Sequence, residues 1–231
     1  MSERAEQAEP ADATVTPRWV RFVLVRHGEA AGNRELRYLG ATNAPLTERG
    51  HAQARQLADA LRAYPLAALY SSPLTRARET ANAIAAPHGL VAQVEDDLRE
   101  GHFGAWENLT RAQVRETDGA ALAAWEAGTD VAPPGGESLE AVRARAAACA
   151  TRLAAPHAGE MVALVSHVGP IKALVCAALG LPAAGALRMW LDPASVCVVD
   201  WRIGADETAT GLLRVFNATA HLDPAPRWLL G

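Results

Sequence analysis

The chain has 231 residues, half of them hydrophobic and 21% charged, with a formal net charge of −4. That balance suits a globular chain long enough to bury a substantial core, and without a basic tract it offers nothing to nucleic acid or to an anionic membrane surface. Cys149, Cys176 and Cys197 lie far apart among Ala, Val and Leu, so they read as small core residues in a reducing compartment, not as a disulfide or metal framework.

Residues 1–17 are rich in Ala, Glu, Thr and Pro and lack the apolar stretch of a secretory leader. They read as a disordered tail or linker, with one domain over 18–231. No apolar run approaches the roughly 18 residues of a membrane span. The location expected is therefore cytoplasmic.

The first strand is expected over Val20 to Val25, a short aliphatic run stopped by Arg26-His27-Gly28-Glu29. Ligands of open α/β sheets sit beyond such strand ends, where a histidine can present one ring nitrogen while the other is anchored. Arg26 beside it offers a planar fork for phosphate or carboxylate. Alone, the pair reads equally as a solvated strand end. A polar connection over 30–44 follows, and Thr47 is placed to cap a helix whose Ala52, Leu57 and Leu61 share a face.

A second strand is expected over Leu66 to Tyr70, leading through Ser71-Ser72-Pro73-Leu74-Thr75 into a helix that ends near Ile84. Arg76 falls in its first turn, where exposed backbone N–H groups favour an anion, or else it is a surface helix arginine. A third strand is expected over Leu90 to Val94. The loop from Leu98 to Glu107 then carries Glu100, a general acid if its carboxyl is desolvated enough to hold a proton. His102 in that loop lines an entrance or is solvated.

Helices fit Arg111 to Glu126 and Ser138 to Leu153, and Met161 to Val165 forms a fourth strand ending in Ser166-His167-Val168-Gly169 before a helix to Leu179. His167 repeats the topology of His27. Ser195 to Trp201 and Leu212 to Phe216 are further strands, joined by a polar hairpin connection over 204–211. The alternation of strands and helices predicts a three-layer α/β/α sandwich with a mostly parallel central sheet. Trp106 and Trp125 read as packing anchors, and His51, His88, His157 and His221 as surface residues. No dinucleotide fingerprint, internal repeat or metal-ligand cluster is present in the pattern.

Together, Arg26-His27-Gly28-Glu29 with Asn33, Pro45-Leu46-Thr47-Glu48, Ser72-Pro73-Leu74-Thr75-Arg76-Ala77, Leu98-Arg99-Glu100, Gly135-Gly136-Glu137-Ser138 and Ser166-His167 resemble the histidine phosphatase superfamily, also called phosphoglycerate mutase-like. The resemblance implies a phosphoglycerate mutase-like fold and a nucleophilic His27 that becomes phosphohistidine. It implies that Arg26, Arg76 and His167 clamp the phosphoryl oxygens, that Glu100 protonates the leaving group, and that Asn33 and the backbone near Gly40 touch substrate. No cofactor or metal is implied; the partner is a small phosphate ester, and a homodimer stays open because dimers occur among relatives.

Phe103-Gly104-Ala105-Trp106-Glu107 and His167-Val168-Gly169-Pro170-Ile171-Lys172 are most similar to the branch holding α-ribazole phosphatase-like and actinobacterial acid phosphatase domains. In some relatives such a domain follows an RNase H domain, for which this chain has no room, although its 1–17 tail fits the linker position. Asn108 stands where Gly is usual, and Asn43 where Asp is frequent. The stretch from Glu107 to Gly135 is shorter than in the mutases, which favours hydrolysis of a phosphate monoester over 2,3-bisphosphoglycerate-dependent mutase chemistry. An idle phospho-ligand binding module is the remaining alternative.

Overall fold

The computed structural model describes residues 18–203 and 209–222. The tail expected over 1–17 and most of the connection expected over 204–211 lie outside them.

β1 (Arg18–Arg26) is unbrokenly apolar over Phe22 to Val25, where both of its faces are covered. Val20, Phe22 and Leu24 join one core with Val162 and Leu164 of β4 (Met161–Ser166), while Val23 and Val25 join another with Ala163 and Val165. A strand buried on both sides loses the apolar–polar alternation of a half-exposed one. Helices α4 (Leu139–Ala154) and α5 (Val168–Ala178) fill the first core with Val142, Ala146, Ile171 and Leu174. Helices α1 (Glu48–Leu61) and α2 (Thr75–Ala85) fill the second with Leu57, Leu61, Ala77, Ala81 and Ile84.

With β2 (Leu66–Ser71), β3 (Gln93–Val94), β5 (Val196–Ile203) and β6 (Ala209–Ala218), the sheet has six strands in the order β3-β2-β4-β1-β5-β6. The pairs on the β1, β4, β2 and β3 side are parallel; β5 is antiparallel to β1 and β6 to β5. This is the expected three-layer, mostly parallel architecture. Thr47 caps α1, its hydroxyl accepting from the Gly50 N–H at 3.1 Å, and Ser138 caps α4 in the same way. Helix α3 (Arg111–Glu126) bends at Asp118, whose carboxylate accepts from Trp106 Nε1 at 2.9 Å.

Some expectations fail at the margins. The third strand keeps only Gln93 and Val94, because Val91 is 82% exposed and pairing with β2 spans just two residues before the chain turns at Asp96. Gly211 lies inside β6, not in a turn: a Cβ there would come 2.7 Å from the Ala178 Cβ of α5. Of the histidines read as surface residues only His51 is exposed; His88, His157 and His221 are half-buried. His157 holds the Tyr70 hydroxyl and Glu160, and His221 donates to the Ala194 carbonyl.

Leu164, fully buried in the central β4, is a direct probe of this packing. Leu164→Ala is expected to cost about 2–5 kcal/mol through lost burial and residual cavity. The check is a urea denaturation midpoint shifted down with an unchanged slope.

Candidate active site

The parallel register assembles the site. Arg26 pairs with Ser166 and Ser71 with Val165, so His27, His167 and Ser72 emerge side by side at the carboxyl ends of β1, β4 and β2. The His27 and His167 rings stand 4.9 Å apart. α2 starts immediately after β2 and returns Arg76 to the same level, buried to 1% exposure, so it is no surface arginine. The Thr75 amide at the start of that helix is taken by Asn43 Oδ1 at 2.7 Å, so Arg76 itself, and not this helix-end N–H, faces the site.

Hydrogen bonds define the tautomer of His27. Nδ1 lies 2.7 Å from the Gly28 carbonyl, which can only accept, so Nδ1 carries the hydrogen. Nε2 accepts from Arg76 Nε at 3.2 Å and therefore carries the lone pair. The other Arg76 nitrogens donate to the carbonyls of Thr42 (2.6 Å) and Gly40 (2.9 Å), and Arg26 donates to the Leu191 carbonyl at 2.5 Å. His167 Nε2 meets the Ser72 hydroxyl at 2.7 Å, while its Nδ1 is buried without a partner. Glu100 Oε1 accepts from the amides of Gly101 (2.8 Å) and Gly169 (3.0 Å). A Cβ on Gly169 would overlap that carboxylate oxygen, which explains glycine at this turn of α5.

Arg26, His27, Arg76 and Glu100 line a cavity of about 300 Å³, and His167 stands behind His27. Asn33 and Gly40 line it too, although the Asn33 side chain accepts from the Ala30 amide and the Gly40 carbonyl is engaged by Arg76. Tyr38, Phe103 and Trp125 form an aromatic wall, so Trp125 faces the cavity as well as packing, whereas Trp106 is buried behind it. Residues 22–210 match the model of the histidine phosphatase superfamily, branch 1. The chain belongs to that superfamily.

Among curated relatives, a bifunctional protein of Mycobacterium tuberculosis is 36% identical over 94% of this chain, and the chain spans 62% of that protein's length. A glucosyl-3-phosphoglycerate phosphatase of the same organism is 36% identical, with 87% of this chain and 96% of that protein covered. A mycobacterial glucosyl-3-phosphoglycerate phosphatase solved with VO3 superimposes with a TM-score of 0.79 at 34% identity, covering 86% of this chain and 99% of that one. An α-ribazole phosphatase-like structure of Escherichia coli gives 0.73 at 30% identity, covering 86% and 96%. The superfamily fold expected from the motifs is thus present, and phosphatases are among its relatives.

Burial sets the charge states in this histidine phosphatase cavity. It drives the His27 pKa well below the ordinary value, and the Arg76 and Arg26 charges push it further. His167 is lowered for the same reasons, burial first. Burial raises Glu100, against the pull of its amide donors and the two arginines. Arg26 is brought down to about 10, again by burial, with Glu100 and Asp192 acting the other way.

Other residues hold these groups and were not assigned from sequence. Glu107 accepts from the Ala41 amide (2.9 Å) and the Thr42 hydroxyl (3.2 Å), positioning the carbonyls that bind Arg76. Glu137 accepts from the His102 amide and pairs with Arg145, which donates to the carbonyls of Asp97 and Arg99 and so secures the Glu100 loop. Thr80 on α2 accepts from the Gly28 amide at 3.1 Å. Ser72, Glu107 and Glu137 all stand inside motifs visible in the sequence, but the bonds they make there are not.

Because His27 and His167 are depressed, the unfolded chain binds protons below about pH 6.5 that the folded chain refuses. Their contribution to stability is complete above that pH and is lost as pH falls towards the depressed folded values. Glu100, raised, acts oppositely above its unfolded value of 4.5, one group against two. The urea midpoint is therefore expected to fall between about pH 7.5 and 5.5, with a shallower slope for His27→Gln. An unchanged slope in that variant would remove His27 from the linkage.

Proposed function

We propose that the protein is a metal-independent phosphomonoesterase that acts on a small phosphate ester through a phosphohistidine at His27. The observation that carries this reading is the His27 ring itself: its Nδ1–H is held by the Gly28 carbonyl, and its Nε2 lone pair accepts from the buried Arg76 guanidinium in a cavity that Arg26 also lines. A neutral imidazole in that position is a nucleophile facing a cationic cradle. The phosphatases among its relatives support the reaction class.

In the first step Nε2 attacks phosphorus as the ester P–O bond breaks. Arg76 releases its Nε hydrogen bond from His27 and donates it to a phosphoryl oxygen; its remaining nitrogens stay on the Thr42 and Gly40 carbonyls, so the guanidinium need not move. The Ser72 hydroxyl donates to His167 Nε2, placing the hydrogen on Nδ1, which donates to a second oxygen. Arg26 serves the third. The departing alkoxide takes the proton of Glu100, and the Gly28 carbonyl stabilises the phosphoimidazolium through Nδ1–H. In the second step ionised Glu100 removes a proton from water, which attacks phosphorus and breaks the P–N bond, returning both groups to their starting states.

His27→Ala is expected to lower kcat/KM at least about a thousandfold while the fold is kept, at a stability cost of about 1–3 kcal/mol for the acceptor that the buried Arg76 loses. Near-wild-type turnover would refute the mechanism. Glu100→Gln should lower kcat on alkyl phosphates by about a hundredfold or more, and much less on p-nitrophenyl phosphate, whose leaving group needs little protonation. Equal losses would remove Glu100 from the acid role. Phosphate release should persist in excess EDTA; a requirement for 2,3-bisphosphoglycerate would point instead to mutase chemistry.

A further inference from the structure

One cation in the cavity is left over by this mechanism. Lys172 stands on α5 one turn beyond Val168, and both line the cavity that holds Arg26, His27 and Arg76. Lys172 also lines an adjoining lobe of about 110 Å³, together with Phe103, Trp125, Val168 and Ala173. It is half-buried, and among the described residues its ammonium makes no hydrogen bond or ion pair. Burial lowers its pKa, and the Arg26 charge adds to that, against the pull of Glu100. The carboxyl acting on it is Glu100, which burial favours in the neutral form.

The charges in the cavity indicate what would complete it. Arg26, Arg76, Arg37 and Lys172 line it against the single carboxyl of Glu100. A dianionic phosphoryl group offsets Arg26 and Arg76. Arg37 is tied to the Asn108 carbonyl at 2.6 Å. Lys172 remains, at the junction between the cradle and a lobe lined by Phe103, Trp125 and Val168 and by Glu137, whose carboxylate is already taken by Arg145 and the His102 amide. An ammonium that makes no ion pair of its own gives one added negative charge a direct partner at this point.

We propose that Lys172 is a specificity residue that holds a carboxylate on the alcohol part of the ester, so that the preferred substrates are phosphorylated hydroxy acids with the carboxylate a few bonds from the ester oxygen. This rests on the phosphomonoesterase reading and adds the substrate class to it.

Matched pairs that differ by one carboxylate test it: 3-phosphoglycerate against glycerol 3-phosphate, and O-phosphoserine against O-phosphoethanolamine. The wild type is expected to favour the carboxylated member of each pair roughly ten- to a hundredfold in kcat/KM, the range of a charge-assisted hydrogen bond. Lys172→Met should collapse both ratios to within about threefold of unity, mainly through KM, and Lys172→Arg should restore part of the preference. Wild-type ratios near unity overturn the proposal. So does a Lys172→Met protein that loses both members of each pair equally, since Lys172 would then belong to the phosphoryl cradle. If the wild type hydrolyses none of the four esters, the phosphatase reading falls by itself. Calorimetric titration of the same pairs into His27→Ala protein then decides, and equal affinities within each pair overturn the assignment of Lys172.

Discussion

A guanidinium group buried at the centre of the molecule, against a histidine that must stay uncharged, is the constraint around which the site is arranged. Removing Arg76 from water costs several kcal/mol. Three hydrogen bonds from its head, to His27, Thr42 and Gly40, each worth about 1.5–3 kcal/mol when the donor is charged, are of the size needed to offset that. Two of the acceptors are backbone carbonyls, so the loop between β1 and α1 must be held in place. Glu107 does this from the far side of the cavity, and the loop carrying Glu107 is secured in turn by Glu137 and Arg145. The position of one cation thus depends on a chain of contacts that runs from α2 to α4.

The same burial acts on both candidate reacting groups, in opposite chemical senses. A low-dielectric setting disfavours charge of either sign. It favours the unprotonated form of His27 and the protonated form of Glu100, the forms that nucleophilic attack and leaving-group protonation require. The arginines reinforce the effect on His27 and oppose it on Glu100, so desolvation decides the second case. Water exclusion and the aromatic wall of Tyr38, Phe103 and Trp125 are parts of one electrostatic arrangement.

What the sequence revealed follows from where side chains carry the signal. β1 and β4 were legible because burial on both faces leaves an apolar run, and α1 because its cap and apolar spacing agree. β3 was not, since an edge strand with two paired residues leaves almost no pattern. Arg26, His27, Arg76, Glu100 and His167 were recognisable as a set by motif and order, and the structure brings the first four to one cavity with His167 packed against His27. The acceptors at Gly40, Thr42 and Leu191 were invisible because a carbonyl has no residue signature. Asn108 is instructive: where glycine is usual it takes φ +63°, a left-handed conformation that asparagine tolerates better than most residues.

The order of the strands bears on how such a site can come into being along a growing chain. Arg26 ends β1 and Arg76 follows β2, yet those two strands share no hydrogen bonds; β4, which begins at Met161, lies between them. A nascent chain that stops short of Met161 holds its two arginines on strands with no common edge. Long-range parallel pairing closes late and slowly. The two arginines therefore cannot be brought to one sheet edge before β4 has been made.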